Sequence, residues 1–132
     1  MAEDKKILII DDEPDAIDIT EAMLSEIEGI ATLSAEDGIS GLAKAKESIP
    51  DLIILDVQMP GKNGFDVFSD LKKDDSTKHI PVIMLTGVEE KTGIGFSAES
   101  MYDFIGYEPN AYIDKPVDAE LLQKTVKKLL GL

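Results

Sequence analysis

The 132-residue sequence predicts a single α/β domain over residues 1–132, with a five-stranded parallel sheet and helices on both of its faces. Two observations carry this. Short continuous apolar runs rich in Ile and Val alternate with segments whose apolar residues recur every three or four positions. Each of the three strongest runs also stops at once on polar residues, as a strand buried on both faces does where it leaves the sheet.

The first strand covers residues 7–10 (ILII). Pro14 then suits a helix start, and Ala16, Ile19, Met23 and Ile27 form a helical stripe. A weaker strand at 31–33 precedes a second helix carrying Ile39, Leu42, Ala43 and Lys46, which Pro50 stops. The third strand is 52–55 (LIIL). A helix over 64–72 follows, with Phe65, Phe68 and Leu71 on one side. The fourth strand is 81–85 (PVIML) and a weaker fifth is 111–113 (AYI). Asp118 caps the last helix, Val117 and Leu122 staple it, and Leu121, Leu122, Val126 and Leu129 make its stripe. The stretch 87–110, with Gly87, Gly93, Gly95 and Gly106, leaves the limits of its helix undecided.

Composition works by exclusion. Asp and Glu total 27 against 13 Lys/Arg, a formal charge of −14. Duplex DNA and anionic lipid surfaces are thereby excluded as partners, because binding them needs basic side chains that displace counterions. The acids along the first helix region, Asp15, Asp18, Glu21, Glu26 and Glu28, read as a solvated face. Without cysteine there is neither a disulfide framework nor a thiolate metal site. The apolar runs are too short to span a bilayer, and MAEDKK has no apolar signal region behind its lysines. A soluble cytoplasmic domain is expected. His79, the pair Lys72-Lys73 and the pair Lys127-Lys128 read as solvated, and Met23 and Met84 as core fillers.

Ligands of an open parallel sheet bind beyond the carboxyl ends of its strands. After ILII stand Asp11, Asp12 and Glu13; after LIIL stands Asp56; after VIML stands Thr86; after AYI stand Asp114, Lys115 and Pro116. Any one of these could simply cap a helix or make a turn. Carboxylates brought together repel one another and must take up protons or a cation, and an all-oxygen donor set selects Mg²⁺. Lys115 then supplies a positive charge and Thr86 a hydroxyl for phosphate oxygens. The constellation is suited to phosphoryl transfer, with Asp56, which alone ends the middle strand, as nucleophile.

ILIIDDEP at 7–14, LIILDVQMPGKNGFD at 52–66, IPVIMLTG at 80–87 and YIDKP at 112–116 together resemble the receiver domain of two-component response regulators, over nearly the whole chain. The resemblance is to the stand-alone, chemotaxis-regulator-like kind. It implies a flavodoxin-like fold with strand order 2-1-3-4-5 and five helices. It implies that Asp56 takes a phosphoryl group from a sensor histidine kinase or a histidine phosphotransfer protein. Asp12, Asp56 and the backbone carbonyl of Gln58 would contact Mg²⁺, with Asp11 holding it through water. Thr86 and Lys115 would bind phosphoryl oxygens, and Tyr112 would be the switch aromatic that follows Thr86. Gln58 and Val88 occupy positions that tune hydrolysis in such domains. The chain would not be a conventional enzyme, catalysing only its own aspartyl phosphorylation and dephosphorylation. With no output domain after Leu132, it would signal to a downstream protein target.

Two other functions use related parts. A haloacid-dehalogenase-like phosphatase also places an Asp nucleophile at a strand end with Mg²⁺, but wants a second Asp where this chain has Gln58, and a cap domain. A flavin-binding electron carrier shares the fold class, but Asp11 and Asp12 would repel a flavin phosphate. One departure concerns the 29 positions from Thr86 to Lys115, longer than the family pattern by about two helical turns. Five of the seven aromatic residues lie between Phe96 and Tyr112. The plainer expectation is that Phe96, Met101, Phe104 and Ile105 pack a displaced helix that starts near Ser97 or Ser100. The alternative is that Tyr102 or Tyr107 builds a partner surface.

Overall fold

The structure, a computed structural model, describes residues 4–87 and 109–132. Five strands, β1 (Lys5–Ile10), β2 (Ile30–Ala35), β3 (Leu52–Asp56), β4 (Val82–Thr86) and β5 (Ala111–Asp114), form one sheet in the order β2-β1-β3-β4-β5. All four strand pairs are parallel. Four helices are described: α1 (Pro14–Leu24), α2 (Gly38–Ser48), α3 (Gly64–Lys73) and α4 (Ala119–Leu130). The expected sheet, its strand order and its helices on both faces are therefore present. The further helix expected between β4 and β5 lies outside the described residues. So do the readings made for Val88, Phe96, Ser97, Ser100, Met101, Tyr102, Phe104, Ile105 and Tyr107.

Strand alternation divides the core in two. Leu8, Ile10, Ile53, Leu55, Val82 and Met84 point to the face covered by α2 and α3. Ile7, Ile9, Leu52, Ile54, Ile83 and Leu85 point to the face covered by α1 and α4. Each such side chain contributes about 1.5–3 kcal/mol by leaving water. This explains why the strands were the most legible elements: a strand buried on both faces has no polar positions to interrupt its run.

Helix α3 keeps its expected stripe, with Phe68 and Leu71 buried and Phe65 packed beside them, whereas the other helices turn differently. α1 buries Ile17, Thr20 and Leu24, while Ile19 is 57% exposed and Ala16 and Met23 are half-buried. Residues 17 and 19 lie about 200° apart around a helix, so only one of them can face the sheet. α2 buries Gly38, Gly41 and Ala45 instead of Ile39, Ala43 and Lys46, and Ile39 is 74% exposed. A Cβ on Gly41 would stand 2.7 Å from Ile10 Cδ1, so this helix lies nearly against β1 at Gly41, while Gly38 sits close against Lys62 and Val67. In α4, Leu122 and Val126 are buried but Leu121 is 46% exposed. Its cap is as expected, with Asp118 Oδ2 accepting the Leu121 N–H at 2.9 Å, and Val117 packs into the cluster that holds Leu122.

Lys72 is a further correction. It is buried instead of solvated, and its ammonium donates to the carbonyls of Lys78 at 3.0 Å and Ile80 at 3.1 Å, over the Phe68 ring. Burial pushes its pKa down. The contact pins the connection from α3 to β4, which a count of charges cannot foresee. Lys73, His79, Lys127 and Lys128 are exposed as expected.

Candidate functional site

The parallel strands deliver their carboxyl ends to one edge. Asp11 follows β1 and is 1% exposed; its Oδ1 accepts the Glu13 N–H at 3.0 Å. Asp56 ends β3 and is 3% exposed. Asp12 is half-buried beside them. One carboxylate oxygen from each of Asp11, Asp12 and Asp56 lies within 4.8 Å of the others. Lys115, just past β5, reaches back with Nζ 3.0 Å from Asp56 Oδ1 and 3.4 Å from Asp11 Oδ2. Four residues from three strand ends, spread over more than a hundred positions, thus form one cluster.

Its electrostatics follow from burial. Loss of water, then the charge of Asp11, pushes Asp56 up from 3.8 to about 7; Lys115 opposes this and Asp12 adds to it. Burial alone would lower Lys115, but the charges of Asp56 and Asp11 hold it above its ordinary value. One ammonium cannot neutralise three carboxylates. The donor set is all oxygen, compact and partly open at Asp12, and so fits a hard divalent cation such as Mg²⁺.

The turn after β3 is shaped for this edge. Gly61 has φ +74°, which a side chain would strain, and Gly64 leaves no room for one because the backbone of Asp56 and Val57 passes directly against it. The Gly64 N–H donates to the Val57 carbonyl at 2.9 Å, and Asn63 caps α3 by accepting the Asp66 N–H at 3.0 Å. Gln58, whose carbonyl the resemblance places on the metal, is exposed just after Val57 in this turn.

Thr86 ends β4 and is buried, and its carbonyl accepts the Lys115 N–H at 2.7 Å. Its hydroxyl donates to Asp114 Oδ1 at 3.1 Å. Tyr112 is half-buried and packs on the cluster that contains Met84, its register partner across β4 and β5. Thr86 and Tyr112 belong by alternation to the same face of the sheet, one diagonal step apart. The Lys115–Pro116 peptide is cis. Beside the carboxylates, Ala16, Ile19, Met23, Pro116 and Val117 line an open apolar cleft between α1 and the β5–α4 connection.

Asp114, to which the resemblance gives no role, accepts the hydrogen bond of the Thr86 hydroxyl. The signal was present in the register: Thr86 and Asp114 end adjacent parallel strands as direct partners.

A sequence profile of the response regulator receiver domain matches residues 7–127. Protein PilH of Pseudomonas aeruginosa is 38% identical over 127 residues, covering 96% of this chain and 98% of PilH. Response regulator PleD of Caulobacter vibrioides is 36% identical over 126 residues, 94% of this chain but 26% of PleD. The crystal structure of a response regulator receiver domain protein from Clostridium thermocellum superposes with a TM-score of 0.80 at 30% identity, covering 96% of this chain and 94% of that one. Among the described residues, no helix is long and apolar enough to cross a membrane.

Proposed function

The chain belongs to the response regulator receiver domain family of two-component signalling, and from that premise we propose that residues 1–132 act as one phosphoacceptor domain whose phosphorylated residue is Asp56. The observation that carries this is the Asp56 carboxylate itself: buried, 3.0 Å from an ammonium, and crowded by two further acids. An oxygen of Asp56 attacks the phosphorus of a phosphohistidine on a sensor kinase or a phosphotransfer protein. A P–O bond forms as the P–N bond breaks, and the imidazole leaves with the electron pair and takes up a proton. Asp11, Asp12, Asp56 and the Gln58 carbonyl would hold Mg²⁺, which would supply positive charge to the phosphoryl oxygens.

The chain's own residues do the rest. Lys115 keeps Asp56 ionisable against the pull of burial, and its ammonium then faces the incoming phosphoryl group. The Thr86 hydroxyl donates to a phosphoryl oxygen, and Tyr112 adjusts against the space that Thr86 leaves. The change at the β4–β5 edge is read by a downstream protein, a shift between two populations of one fold. Catalysis is limited to the domain's own phosphorylation and dephosphorylation, and the cytoplasm is the compartment proposed.

The test is incubation with a small acyl phosphate and Mg²⁺, read by intact mass. One added phosphoryl group that disappears in Asp56→Asn is expected. No addition, or addition that survives the substitution, refutes the proposal.

A further inference from the structure

We infer that Asp114 is a positioning residue that competes with the phosphoryl group for the single hydroxyl proton of Thr86. Thr86 Oγ1 donates to Asp114 Oδ1 at 3.1 Å, and the two residues are direct partners in the β4–β5 register. A threonine hydroxyl has one proton to donate, whereas an ionised carboxylate and a phosphoryl oxygen are both acceptors only. Thr86 can therefore serve one of them at a time. The strand order β3-β4-β5 puts the two acceptors on opposite sides of it: Asp56 ends the strand on one flank and Asp114 the strand on the other.

The consequence is a latch. In the unphosphorylated domain Asp114 draws Thr86 toward β5, and a phosphoryl group on Asp56 gains Thr86 only by displacing that bond. Lys115 is not part of the competition, since its ammonium already lies on Asp56 and Asp11. Asp114 is exposed at the end of its strand, so its side chain can be changed without disturbing the core. The inference rests on the proposed contact between Thr86 and the phosphoryl group, and its test separates the two.

The experiment compares the wild type with Asp114→Ala and Asp114→Asn in the full chain. Asn removes the charge but keeps an oxygen acceptor of the same shape, whereas Ala removes both. In the free protein, the χ1 populations of Thr86 from methyl couplings should redistribute in Asp114→Ala and stay near wild type in Asp114→Asn. Beryllium fluoride with Mg²⁺, a phosphoryl mimic, is then titrated while following the Thr86 methyl. Half-saturation in Asp114→Ala should come at a concentration lower than in Asp114→Asn by roughly fivefold, the weight of one hydrogen bond. The effect of charge alone is common to both variants and cancels in that ratio.

Equal half-saturation in the two variants overturns the competition, as does an unchanged Thr86 rotamer in Asp114→Ala. Binding that leaves the Thr86 methyl unmoved in all three proteins refutes the Thr86–phosphoryl contact itself. In that case the rotamer comparison still decides whether Asp114 holds the hydroxyl.

Discussion

Replacing Asp56 by Asn removes a buried charge while keeping the side chain's shape, and the substitution should stabilise the protein at pH 8 and leave it nearly unchanged at pH 4. The folded-state pKa of Asp56 is about 7, against 3.8 for the ordinary group. A carboxyl group whose pKa is raised by folding contributes its full stability below the unfolded value, and that contribution is lost as pH rises through the folded one. The gap between variant and wild type should open between pH 4 and pH 7 and stay constant above. A shift of about 3 units corresponds to a ceiling of about 4 kcal/mol. The open side of the site and the loss of the Lys115 partner reduce this, so about 1–2 kcal/mol is expected at pH 8.

Urea unfolding of both proteins at pH 4, 6 and 8 measures the gap directly, and acids common to both, such as Asp37 and Asp74 with their lowered pKa values, cancel in the difference. Mg²⁺ at ten times its Kd should raise the wild type at pH 8 by about 1.4 kcal/mol and the variant by less. A variant less stable than wild type at pH 8, or a gap that does not change with pH, would refute the picture of an under-neutralised carboxylate.

Three other substitutions test the frame. Lys72→Met keeps the apolar stem but strands the carbonyls of Lys78 and Ile80, and should cost about 1–3 kcal/mol in urea unfolding with little effect on acyl-phosphate labelling. Gly64→Ala drives a methyl into the backbone of Asp56 and Val57 and should cost about 1–3 kcal/mol. It should also slow Asp56 labelling by roughly tenfold or more, because displacement of the carboxylate by a fraction of an ångström spoils alignment. Asp118→Ala removes the α4 cap and should lower stability by about 1 kcal/mol, visible as a lower Tm, with the labelling rate unchanged.

Much of the site is legible in the amino-acid sequence. Asp11, Asp12 and Asp56 follow apolar runs whose length and composition already identify them as buried parallel strands, Lys115 follows the weaker run 111–113, and right-handed crossovers bring the ends of such strands to one edge. The helices were less legible. Ile17 and Ile19 are equally apolar, and only the packing of α1 on β1 and α4 selects the first. In α2 the expected stripe of Ile39 and Ala43 gave way to Gly38 and Gly41, because Gly41 lies against Ile10 and Gly38 against Lys62 and Val67, where only the smallest side chains fit. Lys72 could not be read at all, since its partners are backbone carbonyls six and eight residues away in the connection to β4.

The order of strands and helices and the gathering of three acids with one lysine are consequences of local pattern and chain topology, and these belong to the sequence alone. Which helix faces are buried, how far Asp56 is desolvated and which acceptor takes the Thr86 proton depend on distances between segments remote in the chain. Hydrophobic patterning places a residue on a face or at an end with no knowledge of its neighbour. Electrostatics and single hydrogen bonds change within an ångström or two, and only the packed tertiary structure sets that scale.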